Sequence, residues 1–286
     1  MKKKGKRKMY IAFGIVIAVV LAVIIWFSVP FSPMKKQFAA DIEQLTKDGE
    51  TSSEVFTQED FSSFPTAIRN YISSCGYIGK PKMKYMKMEY HDVDFAQGKN
   101  GPKLKIDYTL YDFAAAPCRM ALIDSSMFGV PFEGYDYYRD GTGGMKGMIA
   151  KGITLFDQTG AQMDKACLVT YLSESLFAPS ILLGDNVTFE ETSDHEVKAT
   201  MTCGSLSASG IFTFNERYEM ISFTTEDRAV SNNDGSFEYV PWSALCGEYA
   251  LSGSGIKYPT QFKAVWNYPE GDFVYFDGEI SEITYD

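Results

Sequence analysis

Residues 103–113 read Lys-Leu-Lys-Ile-Asp-Tyr-Thr-Leu-Tyr-Asp-Phe. Leu104, Ile106, Tyr108 and Leu110 stand two apart. That spacing places them on one face of a strand, whereas a helix would need apolar residues three and four apart. The same texture continues on both sides. Between residues 80 and 285, short segments rich in Tyr, Phe, Val, Ile and Thr alternate with turn signals. Strands are expected at 82–94, 103–113, 119–123, 134–138, 146–156, 187–191, 196–203, 206–214, 219–226, 249–251, 256–266 and 272–285. The intervening turns include Asp140-Gly141, the glycine-rich 141–144, 232–235, 252–255, 269–272 and Asp277-Gly278. Many strands with local connections predict an α+β fold, mainly antiparallel β, as a curved sheet or partial barrel.

Two segments break the pattern. In 59–77, Phe64, Ile68, Tyr71, Ile72 and Cys75 form one helical stripe, with Pro65 in its first turn and Gly76 or Gly79 at its close. In 164–177, Leu168, Tyr171, Leu172 and Leu176 are spaced for a central helix that Pro179 ends.

The N-terminus has a different character. Lys2, Lys3, Lys4, Lys6, Arg7 and Lys8 precede a run without charge over 9–34. Residues 9–29 form a helix about 30 Å long, the thickness of a bilayer core. Tyr10 and Trp26 stand near its ends. The basic flank keeps the N-terminus cytoplasmic and sends the bulk of the chain across a cell membrane in a single pass. A cleaved signal peptide would need a shorter apolar core and a small-residue cleavage site, which Trp26-Phe27-Ser28-Val29 does not offer. The expected organisation is a cytoplasmic tail over 1–8, an anchor over 9–31, a polar stalk over 32–58 and an extracytoplasmic β-rich domain over 59–286. The stalk would hold the domain clear of the membrane surface.

The chain carries a net charge of −10, and all 37 acidic residues lie beyond the six N-terminal cations. An acidic domain of this kind excludes nucleic acid as a partner. Five widely spaced cysteines leave one or two disulfides and buried free thiols equally open.

Catalytic motifs are missing. The sequence has two histidines, His91 and His195, and no H-E-x-x-H, G-x-S-x-G, phosphate loop or paired cysteine ligands. No catalytic residue, metal site or cofactor is assigned. Asp92 and Asp94 share a strand face in His91-Asp92-Val93-Asp94, and 232–235 with Glu238 faintly resembles a calcium loop. Both read as solvated edges or turns. Glu174 is different, because the 164–177 helix is apolar nearly all round and so buried on more than one face. A buried carboxylate needs a partner, and Arg228 is the expected one. Tyr108, Tyr171, Trp242 and Trp266 are candidate pocket aromatics within a wider aromatic surplus. Most strand aromatics are ordinary core.

Two of these segments also carry a resemblance. Phe64-Pro65-Thr66-Ala67-Ile68-Arg69-Asn70-Tyr71 and Tyr171-Leu172-Ser173-Glu174-Ser175-Leu176-Phe177-Ala178-Pro179 resemble a family of bacterial membrane-anchored or secreted proteins described as a domain of unknown function. Its pattern continues at Phe212-Thr213-Phe214-Asn215, Asp227-Arg228 and Pro259 to Trp266, so the likeness covers about 61–285. Phe177 stands where the family often has Trp. The shape it implies is similar to lipoprotein-carrier-like folds, in which a curved sheet wraps a helix. The function expected is a membrane-tethered binding module for an apolar, lipid-like ligand or an envelope protein. An envelope enzyme using carboxylates and a purely structural domain are the alternatives. A cavity under the central helix favours the first, and converging carboxylates favour the second.

Overall fold

The computed structural model describes residues 2–47, 53–99, 101–231 and 236–286. The turn expected at 232–235 and the middle of the expected stalk lie outside them. Fifteen strands form among the described residues. Six make a meander: β1 (Tyr85–Ala96), β2 (Lys103–Phe113), β3 (Cys118–Met127), β4 (Val130–Arg139), β5 (Thr142–Ile149) and β6 (Ile153–Thr159). A second run holds β7 (Val187–Ser193), β8 (Glu196–Cys203), β9 (Leu206–Phe214) and β10 (Met220–Thr225), then a short arm of β11 (Ala229–Ser231) and β12 (Phe237–Tyr239). The last three are β13 (Trp242–Leu251), β14 (Lys257–Tyr268) and β15 (Gly271–Tyr285). Thirteen pair in one antiparallel sheet, ordered β6-β5-β4-β3-β2-β1-β15-β14-β13-β10-β9-β8-β7. The class and architecture are those the alternation predicts.

The sheet curves because its strands are interrupted and thinned. Bulges break the β1, β10 and β14 ladders, and each bulge bends its strand. At Gly210 the Phe223 ring occupies the space a Cβ would need, and at Gly278 Val93 does. Gly278 therefore lies inside β15, paired with Phe262, and Asp277-Gly278 is not the turn expected there. The expected strand 146–156 is likewise two strands, split at Ala150-Lys151-Gly152. Gly143 and Gly144, expected in a turn, belong to β5, where Cys167 and Tyr137 lie against their bare backbone.

Helix α3 (Thr66–Ser74) follows Pro65 and ends at Gly76, whose φ of +79° suits a residue without a Cβ. Helix α4 (Ala161–Glu174) connects the two edge strands β6 and β7 and touches β4, β5, β8 and β9. It thus fills the trough of the sheet. Leu168, Val169, Leu172 and then Leu176 and Phe177 are fully buried there, which explains why no polar face survives on this helix.

Helix α1 (Lys2–Ser28) is long and apolar enough to cross a membrane, and its apolar residues from Met9 to Trp26 are exposed rather than packed on the domain. Helix α2 (Pro33–Lys47) begins after four intervening residues. The Ser32 hydroxyl accepts a 3.0 Å bond from the Lys35 N–H, with Pro33 at the first helical position, the usual chemistry of a helix start. Met34 and Phe38 then pack on the outer sheet face against Phe113, Met120 and Tyr135. Beyond the linker, Phe56 is buried beside Phe61 and Tyr77. Within the range expected as a stalk, Met34, Phe38 and Phe56 are thus packed on the domain.

Candidate functional site

Three neighbouring strands point charged residues into the trough. Asp112 on β2 stands opposite Arg119 on β3, and Asp136 on β4 pairs with Ala121, two residues along from Arg119. By the period of two, all lie on the face that also carries Tyr108, Leu110 and Ile123. Glu174, the last residue of α4, comes down onto them.

Arg119 is at the centre and 2 % exposed. Its Nε donates to Glu174 Oε2 at 2.6 Å and its Nη2 to Oε1 at 3.1 Å. Nη1 donates to Asp136 Oδ2 at 2.9 Å, and Nη2 also to the Tyr108 hydroxyl at 2.7 Å. Such a two-pronged charged bond fixes both partners in orientation. Burial works against the Arg119 charge, but Glu174, Tyr108 and Asp136 outweigh it and hold the guanidinium protonated.

Asp112 is fully buried, neither of its oxygens meets a donor among the described residues, and the carboxylate beside it is Glu174. Its carboxylate lies 3.9 Å from Arg119 Nε. Burial first, then the Glu174 charge, pushes its pKa well above the ordinary carboxylate range. With one guanidinium among three carboxylates, Asp112 is the one kept neutral.

Over this cluster lies a cavity of about 130 Å3. Its walls are chiefly apolar and include Tyr90, Ile106, Ile123, Trp242, Phe262 and Phe276. Arg119, Glu174, Asp136 and Arg228 line it as well. Arg228 is half-buried. Its Nη1 donates to the Thr170 hydroxyl at 2.9 Å, and its guanidinium lies 4.4 Å from the Trp242 ring and 5.5 Å from Trp266. Among the described residues no carboxylate pairs with it.

The expected Glu174–Arg228 pair does not form. Both side chains line the same cavity, but Arg119 takes Glu174, and Arg228 stacks on tryptophan instead. The expected aromatics divide in the same way. Tyr108 and Trp242 line the cavity, and the Trp242 Nε1–H donates to the Tyr275 hydroxyl at 3.1 Å. Trp266 lies behind it, stacked on Tyr275. Tyr171 faces elsewhere and donates to the Phe113 carbonyl at 2.5 Å. Asp112, Arg119 and Asp136 were the residues missed. The signal was present, since Asp112 continues the inward phase of Leu104, Ile106, Tyr108 and Leu110.

The other candidates are peripheral. Asp92 sits in a bulge at φ +54°, and Asp94 pairs with Lys105 at 2.8 Å. All five cysteines are free thiols, and burial pushes those of Cys75 and Cys118 up to about 12.

Residues 54–278 match the model of a family described as a family of unknown function, DUF6544. The chain belongs to that family. Residues within the matched region hold this site together: Glu174 grips Arg119, and Asp227 accepts from the Ser209 N–H at 2.8 Å and pairs with Lys165 at 2.6 Å just before Arg228. In the hairpin motif, Asn215 Oδ1 accepts from the Arg217 and Glu219 N–H groups at 2.9 and 3.0 Å. A comparison with curated protein sequences finds no match. Among solved structures, the chain is similar to a domain with a proposed role in outer-membrane lipoprotein sorting from Vibrio parahaemolyticus. The identity is 8 %, the TM-score 0.40, and the likeness covers 71 % of this chain and 85 % of that one. It is also similar to a DUF1329 family protein from Desulfovibrio piger, at 11 % identity and TM-score 0.40, covering 77 % and 92 %.

Proposed function

We propose that this protein is a binding module, held at the outer side of a membrane by α1, for an amphipathic ligand with an anionic head. The apolar part enters the cavity under α4, and the head meets Arg228. One observation carries this reading: Arg228 stands at an apolar cavity, seated on two tryptophan rings, with no carboxylate partner among the described residues. A guanidinium stacked on aromatic faces keeps its in-plane donors available for a carboxylate, sulfate or phosphate. Glu174 supports a binding role over a catalytic one, since both its oxygens already accept from the buried Arg119 guanidinium, which holds the carboxylate in place.

The size sets the ligand class. A cavity of about 130 Å3 matches one benzene-sized group and falls short of the ~300 Å3 at which drug-sized pockets begin. It therefore takes a ring or the end of a chain, and a whole acyl chain enters only if α4 lifts.

The test uses the full chain in phosphatidylcholine nanodiscs, titrated with hexanoate, hexanol and hexylammonium, with Trp242 and Trp266 emission as the readout. Hexanoate gives a saturable change, and Arg228→Gln weakens it about tenfold or more, the equivalent of ~1.4 kcal/mol. Equal response to hexylammonium, or no saturable response, overturns the reading.

A further inference from the structure

Two adjacent hairpin tips break local rules in the same way. The β3–β4 turn places Phe128 at φ +53° and Gly129 at φ +80°. Both central residues of this two-residue turn are left-handed, a geometry that suits Asn-Gly or Asp-Gly. Phe is a poor choice there, because a bulky side chain at positive φ is strained. Phe128 is also 97 % exposed, so its ring gains nothing from the protein. The β5–β6 turn puts Ala150 and Lys151 at φ +54° and +62°, and just beyond it Ile153 is 60 % exposed. The Ala150 N–H donates to the Pro131 carbonyl at 2.8 Å, which ties the second tip to the base of the first.

Lys151 shows where these tips are. Its Nζ donates to the carbonyls of Trp26 at 2.8 Å, Phe27 at 3.2 Å and Val29. These groups close α1, which leaves its last carbonyls without intrahelical partners and its C-terminus partially negative. The lysine caps that end and lies 5.6 Å from the Trp26 ring. Trp26 stands where a membrane helix leaves the lipid core, at the depth amphipathic rings prefer.

We infer that the Phe128 and Ile153 tips rest in the headgroup region of the same bilayer that α1 crosses, so that the domain sits on the membrane and not above it. The inference rests on α1 being an anchor. The occupant is the lipid itself, because Lys151 fixes these tips at the height where α1 emerges. The four residues between α1 and α2, with Ser32 buried, leave no slack to lift the domain away. A strained, exposed Phe is unfavourable in water and favourable at an interface that covers it.

The test is fluorescence quenching of the full-length protein in phosphatidylcholine vesicles whose lipids are brominated at the top of the acyl chains. In a Trp26→Phe background, Phe128→Trp is compared with Leu251→Trp. Leu251 is an exposed apolar residue at the opposite strand ends, next to the β13–β14 turn. The Phe128→Trp emission shifts to the blue and is lost to brominated lipid, and the Leu251→Trp emission is not. If both behave alike while Trp26 of the native chain is quenched, α1 is inserted and the docking is wrong. If native Trp26 is not quenched, the inference falls with the anchor.

Discussion

Replacing Arg119 with Ala removes the one cation among three carboxylates. Glu174 is then a 3 % exposed charge without a counter-ion, and Tyr108 and Asp136 each lose a bond. Breaking a buried ion pair from one side destabilises by about 3–5 kcal/mol. In a domain of this size each kcal/mol shifts Tm by roughly 2–4 °C, so the expected fall is about 6–20 °C. Thermal unfolding of the full chain followed by circular dichroism reads it. Arg228→Ala is the internal comparison. It gives up one hydrogen bond and its stacking on Trp242 and Trp266, about 1–2 kcal/mol. The double variant Arg119→Met/Glu174→Leu removes both charges together and regains at least half of the single variant's loss, because buried pairs exchange for apolar groups with little net change. If Arg119→Ala melts within about 2 °C of the native chain, less than 1 kcal/mol, the cluster is not what seats α4.

Asp112→Asn tests the neutral acid. The folded state holds a proton on Asp112 that the unfolded state has released above its ordinary pKa of ~3.9. The native chain therefore loses stability as pH rises from that point until the raised folded pKa is reached. The Asn variant gains on it by up to ~1.4 kcal/mol per pH unit, and a difference that stays flat between about pH 5 and 8 removes the assignment. Gly143→Ala would place a Cβ 2.7 Å from that of Cys167, lifting α4 from β5 at a cost of about 1–3 kcal/mol, readable in the same melts. Ala264→Leu fills the cavity from β14 and abolishes the hexanoate response, at a cost in stability of no more than about 3 kcal/mol; an unchanged titration places the ligand elsewhere.

The sheet was legible because alternation survives folding. In β2, β8 and β9 the buried residues recur at every second position, as the spacing of Leu, Ile, Val and Phe requires. The boundaries that misled were set by contacts distant in sequence. Gly278 looks like a turn residue, and only Val93 on another strand shows why a strand needs it. Ala150-Lys151 carries no turn signal, since its left-handed backbone is held by what Lys151 reaches on α1. The site was half legible for the same reason. That Glu174 is buried follows from its helix. Which arginine meets it depends on how far the sheet curls under α4, and that curl places β3 nearer than the end of β10.

The joint between α1 and α2 has a kinetic meaning. On the proposed reading of α1 as an anchor, a domain capped onto it would share that helix's lateral diffusion and have little reach of its own. It would then meet partners by a search in two dimensions, among molecules dissolved in or resting on the same leaflet. For such a protein, membrane concentration matters more than solution affinity. Under the proposed function, a weak cavity that takes only the tip of a ligand would then suffice, because the bilayer would already have gathered the ligand.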